Sequence, residues 1–272
     1  MHIFMRLKSK TMKPRSLIFI IFTSLLIIPT KAQKIYSEIG GEFIFSFSDP
    51  QFSSAFKLQY TNAEVTKSDM RFTCFFHLDE YWHMDFTNNL GLYTGIGIRN
   101  VGLISDEKLP DFVGSNQTID YKIIRRLYTL GVPIAFKLGS FKDNFYFYMG
   151  GEYECAIQYK EKYWTDTQSR SGSKTKKYQW FGNQTPHFLP SVFAGIQMPH
   201  GLNLRFRYYL IDFLNPDYKT GNNDRAGATY NIDDLSRYAK SQVFYISLCW
   251  QFRTYRLIHS NPQVGSMVAI NK

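Results

Sequence analysis

Residues 144 to 159, NFYFYMGGEYECAIQY, alternate in character. Phe145, Phe147, Met149, Tyr153, Cys155, Ile157 and Tyr159 occupy odd positions, and Asn144, Gly150, Glu152, Glu154 and Gln158 occupy even ones. A period of two places successive side chains on opposite faces of a β-strand, so this segment has one greasy and one polar face. The same alternation recurs almost to the C-terminus. It marks strands at Lys34 to Ser48, Arg71 to Asp85, Leu90 to Ile104, a long strand ending in Tyr128 to Leu138, Asn144 to Tyr159, Phe188 to Met198, Leu202 to Phe213 and Gln242 to Phe252. That makes eight, or ten if the ambiguous stretch from Ser53 to Thr61 pairs on its own. The expectation is an all-β, antiparallel, up-and-down transmembrane barrel. Both counts are even, as in single-chain bacterial outer-membrane barrels. Three short turns (Thr87 to Asn89, Gly139 to Asp143, Pro199 to Gly201) interleave with longer polar loops, which is the pattern of short periplasmic turns and long external loops.

Alternation alone does not say which face meets water, because a soluble ligand-binding barrel and a membrane barrel turn the same pattern opposite ways. The polar face here is rich in small residues (Gly91, Gly95, Gly97, Gly131, Ala135, Ala156, Gly195, Ser247) set among large tyrosines and a few charges. That is the composition of an interior being packed. The apolar face is aromatic and almost free of charge, so it is assigned to lipid. Pro133, which has no N–H, predicts a bulge or a missing ladder bond within its strand. Eight strands enclose a bore that side chains can fill. The inward charges carry both signs: Glu38, Glu42, Asp79, Asp85, Glu152 and Glu154 against Arg99, Lys137, Arg205 and Arg207. They are expected to pair across the bore and plug it, because an isolated buried charge is very costly.

The N-terminus reads as a secretory signal. Basic residues up to Arg15 precede the apolar run Leu17 to Ile28, and Thr30 and Ala32 stand at the positions a signal peptidase reads. The expected division is residues 1–33 as signal peptide, removed near Ala32, 34–252 as barrel and 253–272 as a C-terminal tail. Met1, Met5 and Met12 are each candidate translation starts. The formal charge of +10 includes six cations ahead of that cleavage point (Arg6, Lys8, Lys10, Lys13, Arg15, Lys31) and no acid, which leaves +4 for the mature chain. That is too little to argue for a nucleic-acid partner. Cys74, Cys155 and Cys249 are odd in number and widely spaced, so they form neither a disulfide framework nor a CxxC site and are expected as free thiols.

Several groupings carry possible chemistry. His77, Asp79, Tyr81, His83 and Asp85 share one strand face, about 6.6 Å between successive members, and read as an interior hydrogen-bond network rather than a metal or acid/base centre. His187 and Ser191 share a face but lie roughly 13 Å apart along the strand, too far for a nucleophile–base pair. Lys160, Lys162, Arg170, Lys174, Lys176 and Lys177, with Tyr163 and Trp164, form a basic loop that could hold lipopolysaccharide phosphates or remain solvated. The segment Gly221 to Asp234 lacks EF-hand spacing. Asn116-Gln117-Thr118 and Asn183-Gln184-Thr185 match the glycosylation acceptor pattern, which has little force in a bacterial protein. No catalytic, cofactor-binding or metal residue is assigned, and no cofactor is expected.

The chain resembles the PorT-like outer-membrane β-barrel proteins of Bacteroidota. The resemblance rests on the Ala32-Gln33 signal end, on NLGLYTGIGIRNVGLI (Asn89 to Ile104) and on LYTLGVPIAFKLG (Leu127 to Gly139). In the last of these, Val132-Pro133-Ile134 and Lys137 match the family's Tyr-Leu-x-Ile-Pro-Leu-x-x-Lys strand. The resemblance implies a non-enzymatic structural or interaction component of a Gram-negative outer membrane. Its partners would be outer-membrane lipid, lipopolysaccharide and other envelope proteins, since the family's named member belongs to the type IX secretion apparatus. A barrel-embedded hydrolase and a soluble exported ligand-binding barrel are the alternatives.

Overall fold

The computed structural model describes residues 34–259 apart from 221, 222 and 224. The expected signal peptide with its cleavage site, and the tail beyond His259, lie outside the described residues. In chain order the elements are β1 (Lys34–Phe52), a short helix α1 (Ser54–Gln59), β2 (Glu64–Asp69), β3 (Arg71–Thr73), β4 (Leu78–Asp85), β5 (Leu90–Pro110), β6 (Thr118–Ser140), β7 (Phe145–Thr165), β8 (Lys174–Trp180), β9 (Phe188–Gln197), β10 (Leu202–Tyr209) and β11 (Tyr238–His259). The antiparallel order β1-β4-β5-β6-β7-β9-β10-β11 closes on itself through β11 and β1, giving a ring of eight. Tracing register partners from Ser37 through Trp82, Thr94, Ile134, Gly151, Val192, Tyr208 and Phe244 returns to β1 at Phe47, ten residues further along. That stagger tilts the strands and keeps the bore narrow enough to be filled by side chains.

The apolar face points outward. Along β6 and β7, Val132, Ile134, Phe136, Phe147, Met149 and Tyr153 are exposed, and their neighbours Ala135, Lys137, Tyr148, Glu152 and Glu154 are buried. A soluble carrier with a greasy interior does not fit, because over this height the buried side of the ring strands is polar, small or tyrosine-rich, with Phe193 on β9 an apolar exception. All backbone polar groups of such a belt must be satisfied within the protein, and a closed ring does so without edges. The three short turns and both strand ends at Lys34 and His259 lie at one end. Thr87 closes the first turn by accepting from the Leu90 N–H (2.8 Å).

At the other end, the strands rise above the belt, further than the alternation predicted. β5 continues past Ile104, its expected end, to Pro110, which leaves a connection of residues 111–117 to β6. β7 continues past Tyr159 to Thr165 and pairs with β8 as a hairpin that the alternation did not mark. β10 ends at Tyr209, short of Phe213. β1 runs past Ser48, the limit expected from the alternation, through Asp49 and Pro50 to Phe52. Pro50 is tolerated because β1 above Ser46 is paired on one side, to β11, so the missing N–H costs no ladder bond. β11 likewise passes Phe252, the expected barrel limit, because residues 253–259 find partners in Lys34 to Glu38.

The ambiguous segment after Ser53 becomes α1, capped where Ser53 Oγ accepts from the Phe56 N–H (3.2 Å), so ten ring strands do not form. Arg71 to Asp85 is split at residues 74–77, where Phe76 takes φ 63° and turns outward. At Pro133 the β5–β6 ladder lacks two pairs without a register shift, which is the missing bond and not the bulge; the Thr94 hydroxyl donates to the Pro133 carbonyl instead (2.7 Å). Above the belt, α1 and residues 210–237 cover an apolar core that includes Phe52, Phe56, Tyr60, Phe213, Tyr230 and Leu235. The three cysteines are free, Cys249 inside the wall and Cys74 and Cys155 half-buried.

Val132→Arg, in the outward belt, is expected to cost about 2–4 kcal/mol of folding stability in lipid. Lys176→Gln, above the belt, should cost less than about 0.5 kcal/mol. Denaturant titration of tryptophan fluorescence in bilayers separates the two, and equal effects would contradict the placement of the belt.

Candidate functional site: a tiered ion network filling the bore

Inward positions of the ring strands bring their charges together in tiers. Nearest the short turns, Lys137 on β6 lies 2.5 Å from Asp85 Oδ1, donates to the Tyr36 hydroxyl (2.8 Å) and contacts His83 Nδ1 (3.0 Å). The His83 ring stacks on Tyr36 with centroids 4.9 Å apart, and its Nε2 faces Glu38 at 3.5 Å.

The middle tier is the largest. Arg99 on β5 reaches Asp79 on β4 (2.6 Å) and also pairs with Glu152 on β7. Arg205 on β10 pairs with Glu42 on β1 and donates to the hydroxyls of Tyr81 (2.8 Å) and Tyr148 (3.1 Å). Arg207 bridges Glu152 (2.5 Å) and Glu154 (2.9 Å). Thr129 and Tyr209 donate to the Glu154 carboxylate at 2.6 and 3.0 Å. The three guanidiniums and four carboxylates are almost wholly buried. Two glycines make room for them. A Cβ at Gly97 would stand 2.1 Å from Asp79 Oδ1, and one at Gly131 would stand 2.0 Å from Glu152 Oε1.

The third tier sits above the belt. Glu107 meets Arg125 (3.2 Å) and Arg237 (3.3 Å) and accepts from Tyr238 (2.5 Å), while Arg125 also holds Glu161 (2.9 Å). Burial alone would raise the Glu107 carboxyl, but Arg125 and Arg237 outweigh it and hold it below the usual carboxylate range. Arg237 also donates to the Ile232 carbonyl within its own segment (2.7 Å), and its pair with Glu107 ties the end of that segment to β5.

All ten inward charges expected from the alternation are at this network. His77 shares a hydrogen bond with Thr73 (2.8 Å), and the set His77 to Asp85 faces inward as a packing network. Among the described residues no group of three or more His, Cys, Asp or Glu stands in metal-ligand geometry. His187 is exposed, whereas Ser191 is buried and accepts from Arg207 (3.1 Å), so the two are not brought together. Asn223, Asn231 and Asp234 hydrogen-bond among themselves and to nearby backbone. Of the basic loop, Lys177 turns to Asp233 and Arg170 is exposed near the hairpin tip. The third tier escaped the sequence reading. Glu107 and Arg125 are in phase with Arg99 and Gly131 and would follow from extending those strands. Glu161 lies beyond a bulge opposite Tyr128 that inverts the phase, and Arg237 precedes any periodic segment.

Similar solved structures include the outer membrane protein OprG from Pseudomonas aeruginosa, at 8% identity over 83% of this chain and 100% of that one, with a TM-score of 0.35. Ail, the attachment invasion locus protein of Yersinia pestis, in complex with the heparin analogue sucrose octasulfate, is 12% identical over 81% of this chain and 99% of that one, with a TM-score of 0.28. No protein-family model matches the chain, and neither does any curated protein.

Arg207→Leu leaves Glu152 and Glu154 short of positive charge and is expected to cost about 3–5 kcal/mol. Removing Glu152 as well should restore part of that loss. Urea unfolding of the single and double variants measures the coupling, and strict additivity would show that the pairs do not interact.

Proposed function

We propose that the protein is a non-enzymatic outer-membrane β-barrel of a Gram-negative envelope, serving as a structural or interaction component and not as a pore. The observation that carries this reading is the combination of an outward apolar belt with a bore filled by paired charges. A general pore needs an aqueous lumen, and here that volume holds guanidiniums, carboxylates and tyrosine rings. A hydrolase needs a nucleophile within reach of a base, and Ser191 is engaged by Arg207 instead.

What rises above the membrane is then the working surface. The tall walls of β5, β6, β7 and β8 and the tied-down segment 210–237 are preorganised by the third tier, and they offer a rigid platform for another envelope protein. A place in a secretion complex is supported by the PorT-like strand. The structure gives that motif a physical meaning, since Val132 and Ile134 face lipid, Pro133 interrupts the β5–β6 ladder and Lys137 organises the lowest tier.

Two measurements test the proposal. Purified protein in planar bilayers should add no stepwise conductance, whereas a steady open channel would overturn the filled bore. Gentle detergent extraction of tagged protein from outer membranes should recover a stoichiometric envelope partner. Recovery from cells without detergent would contradict the membrane assignment.

A further inference from the structure

Above the belt, the outward row of β6, β7 and β8 changes character. On β6, Leu130 and Tyr128 are followed outward by Arg126; on β7, Lys160 and Lys162 follow; β8 adds Lys174 and Lys176. Register places Arg126 opposite Lys160 and Lys162 opposite Lys176, so like charges face each other across hydrogen-bonded strands, an arrangement that works against folding. None of these five forms an ion pair among the described residues. The outward carboxylates beside them are taken, Asp106 and Asp69 both being held by Lys122 at 2.7 and 2.9 Å. Glu161 turns inward to Arg125.

Two of the five cations lie over rings. Lys160 Nζ is 4.7 Å from the Tyr128 ring centroid and 5.5 Å from that of Tyr178, and Lys174 Nζ is 5.9 Å from that of Trp164. Arg126 Nε is buried with no hydrogen-bond partner. Burial first, and then Arg126, Lys174, Lys176 and Lys160, push the Lys162 ammonium below the usual lysine range, as an uncompensated cluster must. Arg126 is two residues beyond Tyr128, about 7 Å along the strand. An interfacial layer is roughly 5–8 Å deep on each side of the hydrocarbon, so the cluster begins at headgroup height.

We propose that this face of β6, β7 and β8 binds the phosphate groups of a phosphorylated glycolipid in the surrounding leaflet, with the acyl chains lying against Leu130, Val132 and Tyr153 below. The assignment rests on the outer-membrane reading and names one partner for it. Phosphate supplies the missing counter-charge, Lys and Arg donate to its oxygens, and the aromatic rings hold the long side chains in place at the interface. The cluster is one-sided on the barrel, so the bound lipid sits at one position on the circumference and is not spread as a general shell.

The test uses the purified full chain in phosphatidylcholine nanodiscs doped with a bis-phosphorylated lipid A-type glycolipid, with native mass spectrometry counting retained lipid. The parent protein should retain the phosphorylated glycolipid in preference to its dephosphorylated counterpart and to phosphatidylglycerol. The variant carrying Lys160→Gln, Lys162→Gln, Lys174→Gln and Lys176→Gln should lose at least about tenfold of that retention. Its thermal unfolding in neutral detergent should be no lower than the parent's, because it removes facing like charges, and this shows the variant to be folded. Equal retention of the dephosphorylated lipid, or an unchanged quadruple variant, would overturn the proposal. Complete displacement by millimolar inorganic phosphate would also overturn it, by showing an ion site without a lipid. Each of these results leaves the barrel inserted, whereas failure to insert into nanodiscs at all would sink the outer-membrane reading itself.

Discussion

A guanidinium withdrawn from water has to be met by carboxylates, and each arginine of the middle tier finds them on strands other than its own. Arg99 takes its partners from β4 and β7, Arg205 from β1, and Arg207 from β7. The middle tier therefore links strands far apart in sequence and on opposite walls of the ring. A one-residue slip of any of them would turn its charges into lipid, a penalty large enough to make register an all-or-none property. Buried ion pairs add little net stability compared with a greasy core, but here the outer face is already greasy. Polar filling is what tells the chain which side is in.

Size closes the same argument. Eight strands with a ten-residue stagger leave space for side chains and little else. The arginines and tyrosines that fill it are bulky, and they fit because the wall beside them is thinned to glycine at Gly97 and Gly131. The small inward residues and the large inward charges are one design seen from two strands.

Above the belt the physics inverts. Water is available outside, so the outward row becomes basic on β6, β7 and β8, while the interior gains an apolar core around Phe56, Phe213 and Tyr230. The third tier, from Glu107 to Arg237, joins these regimes by anchoring the long segment 210–237 to the strand walls. Rigid walls with a tied cover suit the interaction role proposed above, and the belt below keeps that surface at a set height over the membrane.

The alternation in Asn144 to Tyr159 and its repeats determined strand type and which side chains share a face, because facing in a strand is a local property with a period of two. The small residues of the polar face then set Glu42, Asp79, Arg99, Glu152, Glu154, Arg205 and Arg207 inward, while eight or ten ring strands stayed open until closure. The alternation did not determine where strands stop. Pro50 looks like a terminator until its unpaired edge is known, and Phe252 looks like a barrel end until residues 253–259 are seen against β1. Nor could it show which charge meets which, or that Lys162 faces Lys176 without a counter-ion. Those facts depend on register and stagger around a closed ring, and closure is decided by all eight strands together.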